Sequence, residues 1–179
     1  MTALTISKLD AARRQLQTAI TLWFGAGDPV SIHTLAYASY EIIHALSKQR
    51  NPGRRDLLFD TLVVKDEYRR EWADLVKRHA NFFKHAKDDA KHVIEFNPAL
   101  SELFILFALL GVELSGERHN DEELAFLYWF QIHRSDLLTD EGRKKFEQAF
   151  SVDQRKAFRT IPKNEFLQAI RIARRLKGL

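Results

Sequence analysis

Asn97-Pro98-Ala99-Leu100-Ser101-Glu102-Leu103-Phe104-Ile105-Leu106-Phe107-Ala108-Leu109-Leu110-Gly111-Val112-Glu113-Leu114 is the stretch that decides the fold. Asn-Pro breaks whatever precedes it and opens a helix, with the asparagine as cap. From Ala99 to Leu114 the helix is apolar on nearly every side. A helix with no polar face must be covered all round, so it belongs at the centre of an assembly. Its longest apolar run, Leu103 to Val112, is too short to cross a bilayer, which takes about 20 residues.

Helical patterns lie on both sides of that centre. Leu9, Ala12, Leu16, Ala19, Ile20 and Trp23 form a stripe of period 3.6 within Leu4 to Phe24, and Gly25-Ala26-Gly27 stops it. Asp28-Pro29 starts a second helix, with aspartate as N-cap and proline at the first helical position. It runs to about Lys48 through Ile32, Leu35, Ala36, Ser39, Tyr40, Ile43 and Leu46, and its small residues Ala36, Ala38 and Ser39 allow a close neighbour. Asn51-Pro52-Gly53 is a turn signal. A third helix is expected to start between Leu62 and Asp66 and to reach roughly Lys91, with a core stripe of Tyr68, Trp72, Leu75, Val76, His79, Phe82, Phe83 and Ala86.

Beyond Ser115-Gly116, Asp121 is expected to cap a helix through Leu124, Phe126, Leu127, Trp129 and Ile132. Thr139 or Asp140 starts a short helix through Phe146 and Phe150, and Ile161-Pro162 precedes a final helix ending near Gly178. Leu62-Val63-Val64 is the one β-leaning run, and it is short. Agreement among capped, periodic segments gives an all-α reading. The expected architecture is a helical bundle of about four long helices over residues 1–114, plus a C-terminal helical extension, 115–179, packed on it. The polar seam from Ser115 to Asn120 is the boundary.

Composition narrows the chemistry. The 179 residues suffice for one domain with a sizeable core. The chain has no cysteine, which excludes a disulfide scaffold, a thiolate nucleophile and a thiolate metal site, and fits a reducing compartment. Met1 to Ser7 shows no basic stretch followed by an apolar one, so a cytoplasmic protein is expected, with no membrane association. The net charge of +4 is unevenly spread. Between Ser151 and Leu179 stand Arg155, Lys156, Arg159, Lys163, Arg171, Arg174, Arg175 and Lys177 against only Asp153 and Glu165. Such a segment is either a solvated helix face whose cations suit the helix dipole or an attractor of nucleic acid or an acidic partner.

The third helix carries the candidate site. At about 100° per residue, Val76, His79, Phe83 and Ala86 fall within about 40° of Trp72, while Asp74, Arg78, Asn81 and His85 share a second stripe roughly 120–180° away from it. Arginine offers a planar, permanently charged fork for phosphate oxygens, and histidine exchanges a proton near neutral pH. Together they suffice for RNA cleavage without metal: the imidazole deprotonates the 2′-hydroxyl and the guanidinium stabilises the charged phosphorus centre. Asp74 precedes Arg78 by four residues and can hold it by a helical ion pair. The plain alternative is an ordinary solvated face.

Arg78-His79, followed by His85, resembles the R-x(4–6)-H signature of the HEPN superfamily, in which a polar residue usually follows the arginine. The resemblance covers roughly Leu4 to Leu114. It implies a compact helical fold, a homodimer in which two such motifs meet in a cleft, and metal-independent endoribonuclease activity of the kind found in toxin–antitoxin and defence systems. It makes Arg78 and His85 catalytic with His79 assisting, and Glu41 the acidic residue on an earlier helix, with RNA and an antitoxin or other protein as partners and no cofactor. The gap between arginine and histidine is at the long end of the pattern, and no tyrosine follows His85, so control by tyrosine nucleotidylation is not expected. The helices after Ser115 lie outside the resemblance.

Two other readings stand beside it. One is a non-catalytic helical dimerisation or interaction protein. The other is a metal-binding bundle using His85, Asp88 or Asp89, and His92, which share a helix face, with His44 or His133 completing the shell from another helix. Glu41-Ile42-Ile43-His44 is a single Glu-x-x-His element where a di-iron bundle needs two. Gly25-Ala26-Gly27 lacks the further glycine and the strand of a phosphate loop. The aromatic group Phe126, Tyr128, Trp129 and Phe130 fits a core better than a ligand platform.

Overall fold

A computed structural model describes residues 3–53, 78–85, 91–149 and 151–176. The fold is all-α, with no β-strand among the described residues. Helix α1 is Lys8–Phe24, α2 Pro29–Arg50, α3 Leu100–Leu114 and α4 Asp121–His133. A single 3-10 turn, Ser135–Leu137, leads to α5 (Asp140–Ala149), α6 (Val152–Thr160) and α7 (Lys163–Leu176). Residues 78–84 are also helical.

Local chemistry sets the ends. Helix α1 starts at Lys8 rather than at Leu4, because Ser7 and Asp10 form a capping box: the Ser7 hydroxyl accepts from the Asp10 N–H at 3.1 Å while the Asp10 carboxylate accepts from the Ser7 N–H at 3.3 Å. Leu4 is left outside and exposed. At the other end Ala26 takes a left-handed φ of 51°, and the Gly27 N–H closes onto the Leu22 carbonyl at 2.7 Å. A Cβ at Gly27 would come within 3.0 Å of the Leu22 side chain, which explains a glycine there. Asp28 caps α2 as expected, accepting from the Ser31 N–H at 2.7 Å. Helix α4 corrects the sequence reading by one position. Its cap is Asn120, not Asp121, since Asn120 makes reciprocal bonds with Glu123 three residues on. Helix α6 was not anticipated as a separate helix. Ser151 and Gln154 form its capping box.

Helix α3 is central: from Leu103 to Leu109 no residue is more than 2% exposed. Helix α2 packs against α3 and α1, and α4 touches α1, α3, α5, α6 and α7. One hydrophobic cluster runs from Ala12 and Leu16 through Phe104 and Phe107 to Phe126, Phe130, Phe166 and Ile170. The helices beyond Ser115 therefore share the core of those before it. Polar clamps reinforce the join. Glu123, fully buried, accepts from Arg13 of α1 at 3.0 Å, and Glu102 of α3 accepts from Arg134 at 2.9 Å. Arg171 and Arg174 of α7 pair with Glu122 and Asp121 at the start of α4, and the Lys163 ammonium lies 3.6 Å from the centre of the Trp23 ring. Among the described residues no helix is long and apolar enough to cross a membrane.

Candidate functional site

The helical turns 78–84 have two faces. His79 and Ala80 are buried, while Arg78, Asn81 and His85 are exposed. The His85 N–H bonds to the Asn81 carbonyl at 3.0 Å, so the last turn reaches His85 and keeps Arg78, Asn81 and His85 at i, i+3 and i+7 along one side. None of these three side chains has a hydrogen-bonding or ionic partner among the described residues.

The inner face is tightly specified. His79 is 4% exposed, and its Nε2 lies 2.9 Å from the Glu95 carbonyl oxygen. A carbonyl only accepts, so Nε2 carries the proton. The His79 ring stands edge-on to His33 of α2 at 6.2 Å. His33 is fully buried, with Nδ1 3.1 Å from the Ser101 hydroxyl of α3. Phe83, Phe96 and Phe104 surround its ring edge-on, with centroids at 5.7, 4.9 and 5.2 Å. Burial, helped by the neighbouring His79 and Lys84, pushes His33 down to about 4, so it is neutral at pH 7. Two histidines thus seat the 78–84 turns and the stretch around Glu95 on α2 and α3.

The sequence reasoning did not foresee His33 as the counterpart of His79. The available signal was its place in α2 beside Ile32 and three residues before Ala36, on the buried side. Glu41 does come to the 78–84 turns, where its carboxylate lies 3.4 Å from the Lys84 ammonium. Lys84 also lies over the Tyr37 ring at 4.6 Å. Asp74, the expected partner of Arg78, lies outside the described residues.

The metal reading involves Asp88 and Asp89, which also lie outside the described residues, and His85 and His92, which are both exposed. His44 stacks on Tyr40 at 5.9 Å and His133 on Trp129 at 4.7 Å. Among the described residues no group of three or more histidines and carboxylates stands close enough to hold a metal ion.

Chemically, the outer face offers a fixed cation, an amide and a titratable imidazole along about two turns of helix. That set can grip a phosphate oxygen and exchange a proton beside it. Compared with protein families, with curated proteins and with solved structures, the chain finds no match.

Proposed function

We propose that this chain binds RNA and cleaves it without metal, using Arg78 and His85 in a homodimer whose two motifs line one cleft. The His85 imidazole takes the proton of a 2′-hydroxyl, and the 2′-oxygen attacks the adjacent phosphorus. The bond from phosphorus to the 5′-oxygen breaks, leaving a 2′,3′-cyclic phosphate, and the departing 5′-oxygen takes a proton from water. Arg78 stabilises the charge that gathers on the phosphoryl oxygens, and the Asn81 amide donates to one of them. His79 acts as a positioning residue: turned inward, it holds the turns that carry the reacting pair. An antitoxin-like protein partner would silence the activity by covering the exposed face.

The observation that carries this reading is the contrast within eight residues: Arg78, Asn81 and His85 are exposed and without side-chain partners among the described residues, on turns anchored from behind by His79. The test is cleavage of single-stranded RNA in the presence of a chelator. Cyclic-phosphate ends are expected, with His85→Ala and Arg78→Ala each losing about a hundredfold or more in rate. Intact RNA, or cleavage that persists in His85→Ala, sinks the proposal.

A second reading is a non-catalytic dimerisation or interaction module. It is favoured by one observation: His85 has no orienting carboxylate or carbonyl among the described residues, as a general base commonly has. A dimer in solution that leaves RNA intact, and that Arg78→Ala dissociates, identifies this case.

A further inference from the structure

A second cationic feature lies in the C-terminal helices. Between the end of α4, the following turn, α5 and α6 there is a pocket of about 280 Å³. Its rim carries Arg143, Arg155, Lys156 and Arg159 against one carboxylate, Glu147. Ile132 and Leu138, both nearly fully buried, supply apolar wall, and Val152 at the rim is 55% exposed. The pocket therefore joins a positive rim to an apolar interior.

The cations are not all accounted for by the fold. Elsewhere in the basic segment, Arg171 and Arg174 pair with α4, and Lys163 lies on Trp23. At the pocket, Arg143 pairs with Asp140 and Arg155 lies 3.2 Å from Glu147. Lys156 and Arg159 have no ionic partner among the described residues. Four cations around one concavity against two carboxylates leave an excess positive charge, whose self-repulsion a bound anion relieves.

We propose that this pocket is a binding site for one nucleotide, its phosphate held by Arg155, Lys156 and Arg159 and its base or ribose against Ile132, Leu138 and Val152. Guanidinium forks match phosphate oxygens in geometry as well as charge. The volume lies just under the usual range of ligand sites, about 300–1,000 Å³, which suits no more than a single nucleotide unit and excludes a duplex or a peptide helix from the cavity itself. The site uses none of Arg78, Asn81 or His85, so it stands whether or not the chain cleaves RNA. The nucleotide comes either as a free monophosphate or as one unit of a single-stranded chain.

Titration calorimetry on the full chain separates these sources. The probes are uridine monophosphate, a 2′-O-methyl octauridylate that 2′-hydroxyl chemistry cannot consume, and inorganic phosphate. Saturable binding of the mononucleotide or the oligonucleotide is expected, weakening with salt and at least about tenfold weaker in the Lys156→Gln/Arg159→Gln double variant. Both side chains are exposed, so circular dichroism should show the variant folded. A Val152→Ser variant, which removes the apolar contact and leaves the charge of the rim unchanged, should weaken nucleotide binding more than phosphate binding. The mononucleotide binding as tightly as the oligonucleotide identifies a free-nucleotide site, and binding of the oligonucleotide alone identifies a chain subsite. The proposal is overturned if neither binds at millimolar concentration, if the folded double variant binds like the parent, or if inorganic phosphate binds as tightly as the mononucleotide.

Discussion

Helices α3 and α6 are opposite solutions to the same problem. In α3 twelve of the fifteen residues are buried, and its N-cap residue is Ala99 rather than the expected Asn97 and makes no side-chain capping bond. In α6 no residue is buried, yet the helix begins with a complete capping box. The first exists because its neighbours cover it. The second is set by its end, by contacts with α4 and by the half-buried Phe158, whose ring lies 5.9 Å from that of Phe166. The difference bears on function: substitutions in α3 act on the whole fold, whereas α6 can carry an excess of charge without disturbing the core.

The largest effect should come from α3. Phe104→Ala removes a ring that is 2% exposed and packs against His33, Tyr37 and Tyr40, and should destabilise by about 4 kcal/mol in denaturant titration. Because one core spans the chain, bundle and extension should unfold together, by tryptophan fluorescence and circular dichroism alike. Separate transitions would instead mean that α4 to α7 fold as their own unit.

Acid should expose the one polar contact that His33 makes inside this packing. Its folded pKa, about 4, is below the ordinary value of 6.5, so the unfolded chain binds the proton more readily. The neutral histidine's contribution is complete above pH 6.5 and is lost as pH falls from there to about 4. The loss approaches about 3 kcal/mol at the acid end. The denaturation midpoint of His33→Phe should be correspondingly less sensitive over that window. An unchanged profile would mean that His33 does not report the acid transition.

Smaller effects are expected on the other side of the comparison. Ser151→Ala removes half of the α6 capping box and should cost about 1 kcal/mol, with hydrogen exchange rising in α6 while α3 stays protected. Smallest of all, Glu41→Ala breaks an exposed ion pair with Lys84 and should change stability by less than about 1 kcal/mol. A larger loss there would show that the pair anchors the 78–84 turns, a role now assigned to His79.

Much of the fold was legible because it is local. The apolar run of α3, the Asp28-Pro29 start of α2 and the glycines after Phe24 each act within a few residues. The errors were local too. Asn120 displaced Asp121 as a cap because its partner, Glu123, is three residues on, a pairing weaker to the eye than the acidic run beside it. Helix α6 escaped notice because its Ser151-to-Gln154 signal has no apolar stripe behind it. Within the candidate site, the helical period by itself separated inward His79 from outward Arg78, Asn81 and His85. It could not supply the Glu95 carbonyl that binds His79, because that contact depends on the path of the chain after the helix.

The sequence by itself determined an all-α chain, an apolar helix at its centre and the two faces of the 78–84 turns, because periodicity and capping are short-range properties. Only the tertiary structure decided that His33 meets His79, that Arg171 and Arg174 pair with α4, and that Lys156 and Arg159 stand without ionic partners around a pocket, among the described residues. Those outcomes depend on which helix faces come together, and side chains distant in sequence acquire partners only when packing brings their elements into contact.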